Sequence, residues 1–119
     1  MSILKQICTD NGIKTAQYRY LEKAIPKVSE TMPCGFAAIL ENSKIIGYDE
    51  TMETWEKRLT IAHELAHHLF GHLSGSVSKE QQEHEAQTFS TCFIALMLFQ
   101  EYSQNNKKVY TESSKQVQF

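Results

Sequence analysis

The stretch Arg58-Leu59-Thr60-Ile61-Ala62-His63-Glu64-Leu65-Ala66-His67-His68 decides how the rest of this chain is read. On a helix, His63 and His67 project from one face about one turn apart. That spacing lets two neutral imidazoles take neighbouring corners of a tetrahedral zinc site. Glu64 sits beside them, placed to take a proton from a zinc-activated water. A pattern with three fixed positions recurs by chance, so the surrounding chain has to supply what such a centre needs.

Composition bounds the alternatives. A chain of 119 residues predicts one domain, with residues 1–103 as its body and 104–119 as a polar, flexible tail. Its hydrophobic fraction of 41% and charged fraction of 22% are those of an ordinary globular protein. A formal net charge of −2 gives no electrostatic case for binding nucleic acid or an anionic membrane. The longest apolar run, Cys92 to Phe99, is too short to span a bilayer, and the first residues lack the pattern of a signal peptide. Cys8, Cys34 and Cys92 are odd in number and widely spaced, which suits free thiols in a reducing cytoplasm.

Working outward from the motif, Ile3, Leu4 and Ile7 predict a short amphipathic helix over 2–9, stopped by Asn11-Gly12. Residues 13–25 fit a strand through Ala16, Tyr18 and Tyr20, and equally a helix through Tyr18, Leu21 and Ile25. Pro26 to Pro33 reads as a loop. Gly35 to Leu40 and Lys44 to Tyr48 read as a β-hairpin turning on Glu41-Asn42-Ser43. The motif helix is expected to begin between Thr51 and Thr54 and run to about Gly71, with Leu59, Ala62, Ala66, Leu69 and Phe70 facing the core and Trp55 anchoring its start. A second long helix opens at Ser78 with Gln81 completing a capping box, and buries Ala86, Phe89, Phe93, Leu96 and Met97. Cys92 lies with that face as a small core hydrophobe.

A catalytic zinc usually takes three protein ligands, so another His, Asp or Glu is needed near the pair. The start of the second helix offers Glu83, His84 and Glu85. At about 100° per residue, Glu85 lies roughly 60° from the centre of the apolar face, Glu83 roughly 100° away, and His84 nearly opposite. Because that face packs on the motif helix, Glu85 is the first choice, Glu83 the second and His84 the third. Against this stands the ordinary solvated role of glutamates on helix surfaces. His68 and His72 form another pair four apart, rotated by one residue from the first, and read as structural. Tyr48 and His72 are oxyanion candidates only through their expected nearness to the cleft.

The motif with its flanks, the preceding Ile45-Ile46-Gly47-Tyr48 strand and the downstream Glu85-Ala86-Gln87-Thr88-Phe89-Ser90 resemble the ImmA/IrrE family of zinc metallopeptidases over about residues 35 to 99. The resemblance implies an α+β, minimal zincin-like fold in which a small sheet packs on the metal helix and a second helix brings the third ligand. It implies zinc on His63, His67 and Glu85, with Glu64 as base. Family members include enzymes of phages and mobile elements that cleave a helix-turn-helix repressor, and stress regulators acting similarly. This chain departs from the family in reading Ala95-Leu96-Met97-Leu98-Phe99 where a proline often follows, and in its shortness. The expectation is a cytoplasmic zinc endopeptidase acting on such a repressor, binding neither nucleic acid nor membrane directly. The alternative is a non-catalytic zinc-containing regulator that binds the repressor.

Overall fold

A computed structural model describes residues 2–75 and 77–116, with side chains for 3–75 and 77–105. The first helix, α1 (Ser2–Asp10), buries Leu4 and Cys8, which lie one turn apart. It stops as the sequence indicates: the Asn11 N–H reaches the Ile7 and Cys8 carbonyls, and Gly12 takes a φ of 70° that favours glycine. The ambiguous segment that follows is both things in turn. It is a strand, β1 (Ile13–Gln17), then a single helical turn, α2 (Tyr18–Leu21). The switch falls where the Tyr18 N–H donates to Glu50 Oε2 at 3.0 Å, a cap supplied from across the sheet. A second one-turn helix, α3 (Val28–Thr31), interrupts the expected loop because Val28 is fully buried with Tyr18 and Phe36. One buried apolar residue in a polar run leaves no periodic signal.

The hairpin forms from β2 (Gly35–Leu40) and β3 (Ser43–Tyr48). Its turn is the dipeptide Glu41-Asn42, with φ of 50° and 66°, as a two-residue turn matched to strand twist requires. Ser43 therefore belongs to β3, opposite Leu40. The sheet order is β1-β3-β2, with β1 parallel and β2 antiparallel to β3. Central β3 places Ile46 and Tyr48 in the core.

Two glycines permit the close packing around it. A Cβ on Gly47 would run into the Phe36 ring, and one on Gly35 into the Thr60 side chain and the Gly47 carbonyl. Gly35 therefore lets β2 lie hard against the next helix, α4 (Thr54–Leu69), at the level of Glu64.

Helix α4 is sandwiched between the sheet and α5 (Lys79–Gln116), and buries Ile61, Ala62, Leu65 and Ala66 together with His67 and His68. Leu69 and Phe70, expected in the core, are largely exposed because they fall in its last turn and just beyond. Trp55 is 63% exposed and anchors nothing. A 3₁₀ turn (His72–Ser74) leads toward α5, whose N-cap is Ser78: its Oγ accepts the Gln81 N–H at 3.2 Å. The reciprocal half of the expected capping box is absent, since the Gln81 side chain turns to Glu85 instead. Along α5, Ala86, Ser90 and Met97 are buried, whereas Leu96 is 66% exposed and Cys92 is exposed. The Arg58 guanidinium meets Glu101 at 3.2 Å and ties the two long helices further along. From Gln104, where composition suggests a flexible tail, the described backbone continues helical to Gln116; residues 117–119 lie outside the described residues.

This partition is testable. Ile46→Ala should cost about 2–5 kcal/mol in urea unfolding, while Leu96→Ala should stay within about 0.5 kcal/mol. Equal costs at the two positions would contradict the core assigned to β3 and the exposed face assigned to α5.

Candidate metal centre

His63 and His67 project from α4 one turn apart, as their spacing dictates, with ring centroids 4.9 Å from each other. The carboxylate between them comes from Glu83. Its Oε2 lies 3.0 Å from His63 Nε2 and its Oε1 3.2 Å from His67 Nε2. The three donor atoms, one from each residue, lie within 4.8 Å of one another. In a tetrahedral site with bonds of about 2.0–2.1 Å, neighbouring donors stand about 3.3 Å apart. The two nitrogen–oxygen separations, one to each oxygen of Glu83, are close to that, so the three residues could hold a divalent cation once the donors draw together. Two imidazoles and one carboxylate also leave a fourth position open, as catalytic rather than structural sites do.

The carboxylate beside the histidine pair is that of Glu83 and not that of Glu85, the first choice from sequence. Glu85 does not face the histidine pair; its Oε2 lies 2.7 Å from His72 Nε2, and its Oε1 accepts from Gln81 Nε2 at 2.9 Å. The difference lies in where the buried face of α5 falls, which hydrophobicity alone misplaces. Including Phe89 and Leu96 drew the centre of the face toward Glu85. The residues that α5 buries fully or nearly so are Ala86, Ser90 and Met97. About their mean direction, Glu83 lies roughly 40° away and Glu85 roughly 120° away at 100° per residue. Ser90, 0% exposed with its hydroxyl donated back to the Gln87 carbonyl, is the residue that hydrophobicity alone overlooks. His84, the third choice, lines an apolar groove with Phe70, Phe89 and Phe93 rather than joining the donors.

Glu64 faces the same cleft. Together with His67, His72 and Glu83 it lines a cavity of about 320 Å³ that is bordered by Gly35, Phe36 and Ala37 of β2. Burial pushes its carboxyl up to about 7; the neighbouring His63 opposes that shift and the Glu83 charge adds to it. A carboxyl poised there suits proton transfer near neutral pH. His67 is shifted down, chiefly by burial, which favours the neutral ring that a metal requires.

The other histidines divide sharply. His68 is buried and donates from Nε2 to the Ile45 carbonyl at 2.7 Å, binding α4 to β3. His72 is buried against the metal pair, its Nδ1 3.0 Å from Nδ1 of His67, a contact that helical geometry alone could not reveal because His72 lies beyond the end of α4. Neither oxyanion candidate holds its place: Tyr48 is 3% exposed within the hydrophobic core, and both ring nitrogens of His72 are already engaged.

Two histidines one turn apart, a carboxylate from a following helix and a half-buried glutamate beside an open cleft define a candidate metal-dependent hydrolase centre. Residues 8–110 match the Peptidase_M78 family, described as an IrrE N-terminal-like domain, and the chain belongs to that family of metallopeptidases. No curated protein and no solved structure matches the chain. Among the described residues, no helix is long and apolar enough to cross a membrane.

Removing Glu83 should abolish stoichiometric zinc uptake measured by chelator competition, whereas His84→Ala should leave it intact; retention in Glu83→Ala would displace Glu83 from the donor set. A second expectation concerns pH. With its folded pKa above the ordinary carboxyl value, Glu64 holds its proton in the folded state where the unfolded chain has lost it. Its contribution to stability is therefore complete below about 4.5 and is lost as pH rises through about 7. In chelator-treated protein, Glu64→Gln should gain thermal stability over the wild type as pH rises across that window. A difference that does not change with pH would contradict the raised pKa.

Proposed function

We propose that this protein is a zinc-dependent endopeptidase of the cytoplasm whose substrate is a helix-turn-helix transcriptional repressor. The observation that carries the reading is the convergence of His63, His67 and Glu83, with Glu64 lining one cleft beside His67 and Glu83 and another beside His63. Structural zinc sites are closed by four protein ligands and have no use for a half-buried carboxyl with a raised pKa. A zinc ion held by His63, His67 and Glu83 would polarise the scissile carbonyl as a Lewis acid and would acidify the attacking water. Glu64 takes the proton from that water and returns it to the departing amine.

The substrate's backbone is held by β2. In the order β1-β3-β2 this strand is paired on one side only among the described residues, and its first residues border the cleft. An extended peptide can therefore add to the sheet alongside Glu64 through main-chain hydrogen bonds. The repressor class rests on the family resemblance, and the cytoplasmic setting on three cysteines that form no disulfide.

Glu64→Gln tests the reading. It should keep zinc and lower the rate of cleavage of a co-expressed candidate repressor by about 10²–10⁴-fold. Full relief of repression by that variant, with the repressor intact, would establish a binding regulator in place of a peptidase.

A further inference from the structure

His72 and Glu85 do not belong to the donor set, yet they form a connected chain that ends on it. His67 turns Nε2 toward Glu83 at 3.2 Å and Nδ1 toward His72 Nδ1 at 3.0 Å. The opposite nitrogen of His72, Nε2, meets Glu85 Oε2 at 2.7 Å. Each part of the chain is held in place. The His72 carbonyl accepts from Gln82 Nε2 at 3.1 Å, the His72 ring is 4% exposed, and Glu85 is held by Gln81. His72 is carried by the 3₁₀ turn, which begins after Gly71 at a φ of 67°.

With Glu85 ionised and both rings neutral, as metal binding through His67 requires, the protons along this chain can be placed in one way only. Two ring nitrogens 3.0 Å apart form a hydrogen bond only if one carries a proton and the other does not. An ionised Glu85 can only accept, so His72 carries its proton on Nε2, and in the neutral ring Nδ1 is then a bare acceptor. His67 must therefore donate from Nδ1, and the nitrogen left with a free lone pair is Nε2, the one facing Glu83. With the opposite tautomer of His72, Glu85 would lose its donor and the proton on His67 would move to the metal-facing nitrogen.

We infer that Glu85 and His72 form a positioning relay that fixes the tautomer and ring orientation of His67 for metal binding. The inference rests on the reading of His63, His67 and Glu83 as metal ligands. Metal-bound histidines generally have the other ring nitrogen held by a carboxylate, carbonyl or water. Here a second histidine extends that link from the buried ring to a carboxylate at the surface. It also gives Glu85 a role: the residue chosen from sequence as a ligand acts on the metal through two imidazoles instead.

The test is zinc affinity of the full chain by chelator competition, with the ring tautomers read by long-range ¹H–¹⁵N NMR of the zinc-loaded protein. His72→Phe preserves the volume and removes both nitrogens; it should weaken zinc about 10–100-fold, the usual cost of losing such a partner. His72→Asn, whose amide oxygen can accept from His67 Nδ1, should recover part of that loss. At the half-exposed Glu85, affinity should fall in the order wild type, Glu85→Gln, Glu85→Ala, which keeps the relay testable even if the buried substitutions fail to fold. In the wild type, His67 should be protonated on Nδ1 and His72 on Nε2. Wild-type affinity in His72→Phe or Glu85→Ala, or a proton on His72 Nδ1, overturns the relay while leaving the metal site standing. A wild type that takes up no zinc removes the metal reading itself, and the relay with it.

Discussion

Everything at this centre depends on how closely α4 and α5 approach, because α4 carries two donors and α5 the third. Donors that must stand about 3.3 Å apart on separate helices tolerate little error in the packing of those helices. The sequence meets this with small residues. Ala62 and Ala66 on α4, and Ala86 and Ser90 on α5, are all fully buried. Short side chains permit close packing, and the lack of rotamer freedom in alanine makes it well defined. On the other side of α4, Gly35 removes the Cβ that would push β2 away from Thr60. The motif helix is thus clamped from two directions, and the cleft edge and the third donor are both referred to the same rigid element.

That clamp also explains what the sequence could and could not disclose. The spacing of His63, Glu64 and His67 is a local property of one helix, so it survives translation into three dimensions almost unchanged. The hairpin and the strand–strand alternation are local in the same sense. The third donor depends on the rotation of α5 about its own axis, which is a tertiary quantity. Hydrophobicity is an imperfect guide to that rotation. Leu96 is apolar and exposed, Ser90 is polar and buried, and those two positions were enough to turn the inferred face away from Glu83 toward Glu85. The contact between His67 and His72 was hidden for a related reason. His72 follows the end of α4, so its direction is set by Gly71 and the 3₁₀ turn rather than by helical periodicity.

The centre imposes a structural cost on a small domain. His67, His68 and His72 occupy buried volume beside α4 that aliphatic side chains would fill without needing polar partners. Four of their six ring nitrogens have a hydrogen-bond partner, supplied by His72, Ile45, His67 and Glu85; His67 Nε2 faces Glu83 across the candidate metal position, and His68 Nδ1 is left without a partner. A buried polar network is tolerable only when nearly complete, because each unpaired group forfeits its hydration without return. The sheet offsets the cost from the far side of α4, where Leu4, Ile46, Ile61 and Leu65 form the fully buried apolar cluster.

The adjacent histidines His67 and His68 show how one residue of rotation separates two tasks. His68 faces the sheet, and by donating to the Ile45 carbonyl it fastens α4 to β3. His67, rotated about 100° from it, faces α5. Exchanging the tasks would require rotating the whole helix, which Gly35 on one side and the alanines on the other forbid. The placement of the three candidate donors therefore follows from the packing of the layers. Glu83 lies between the two histidines, with one carboxylate oxygen toward each.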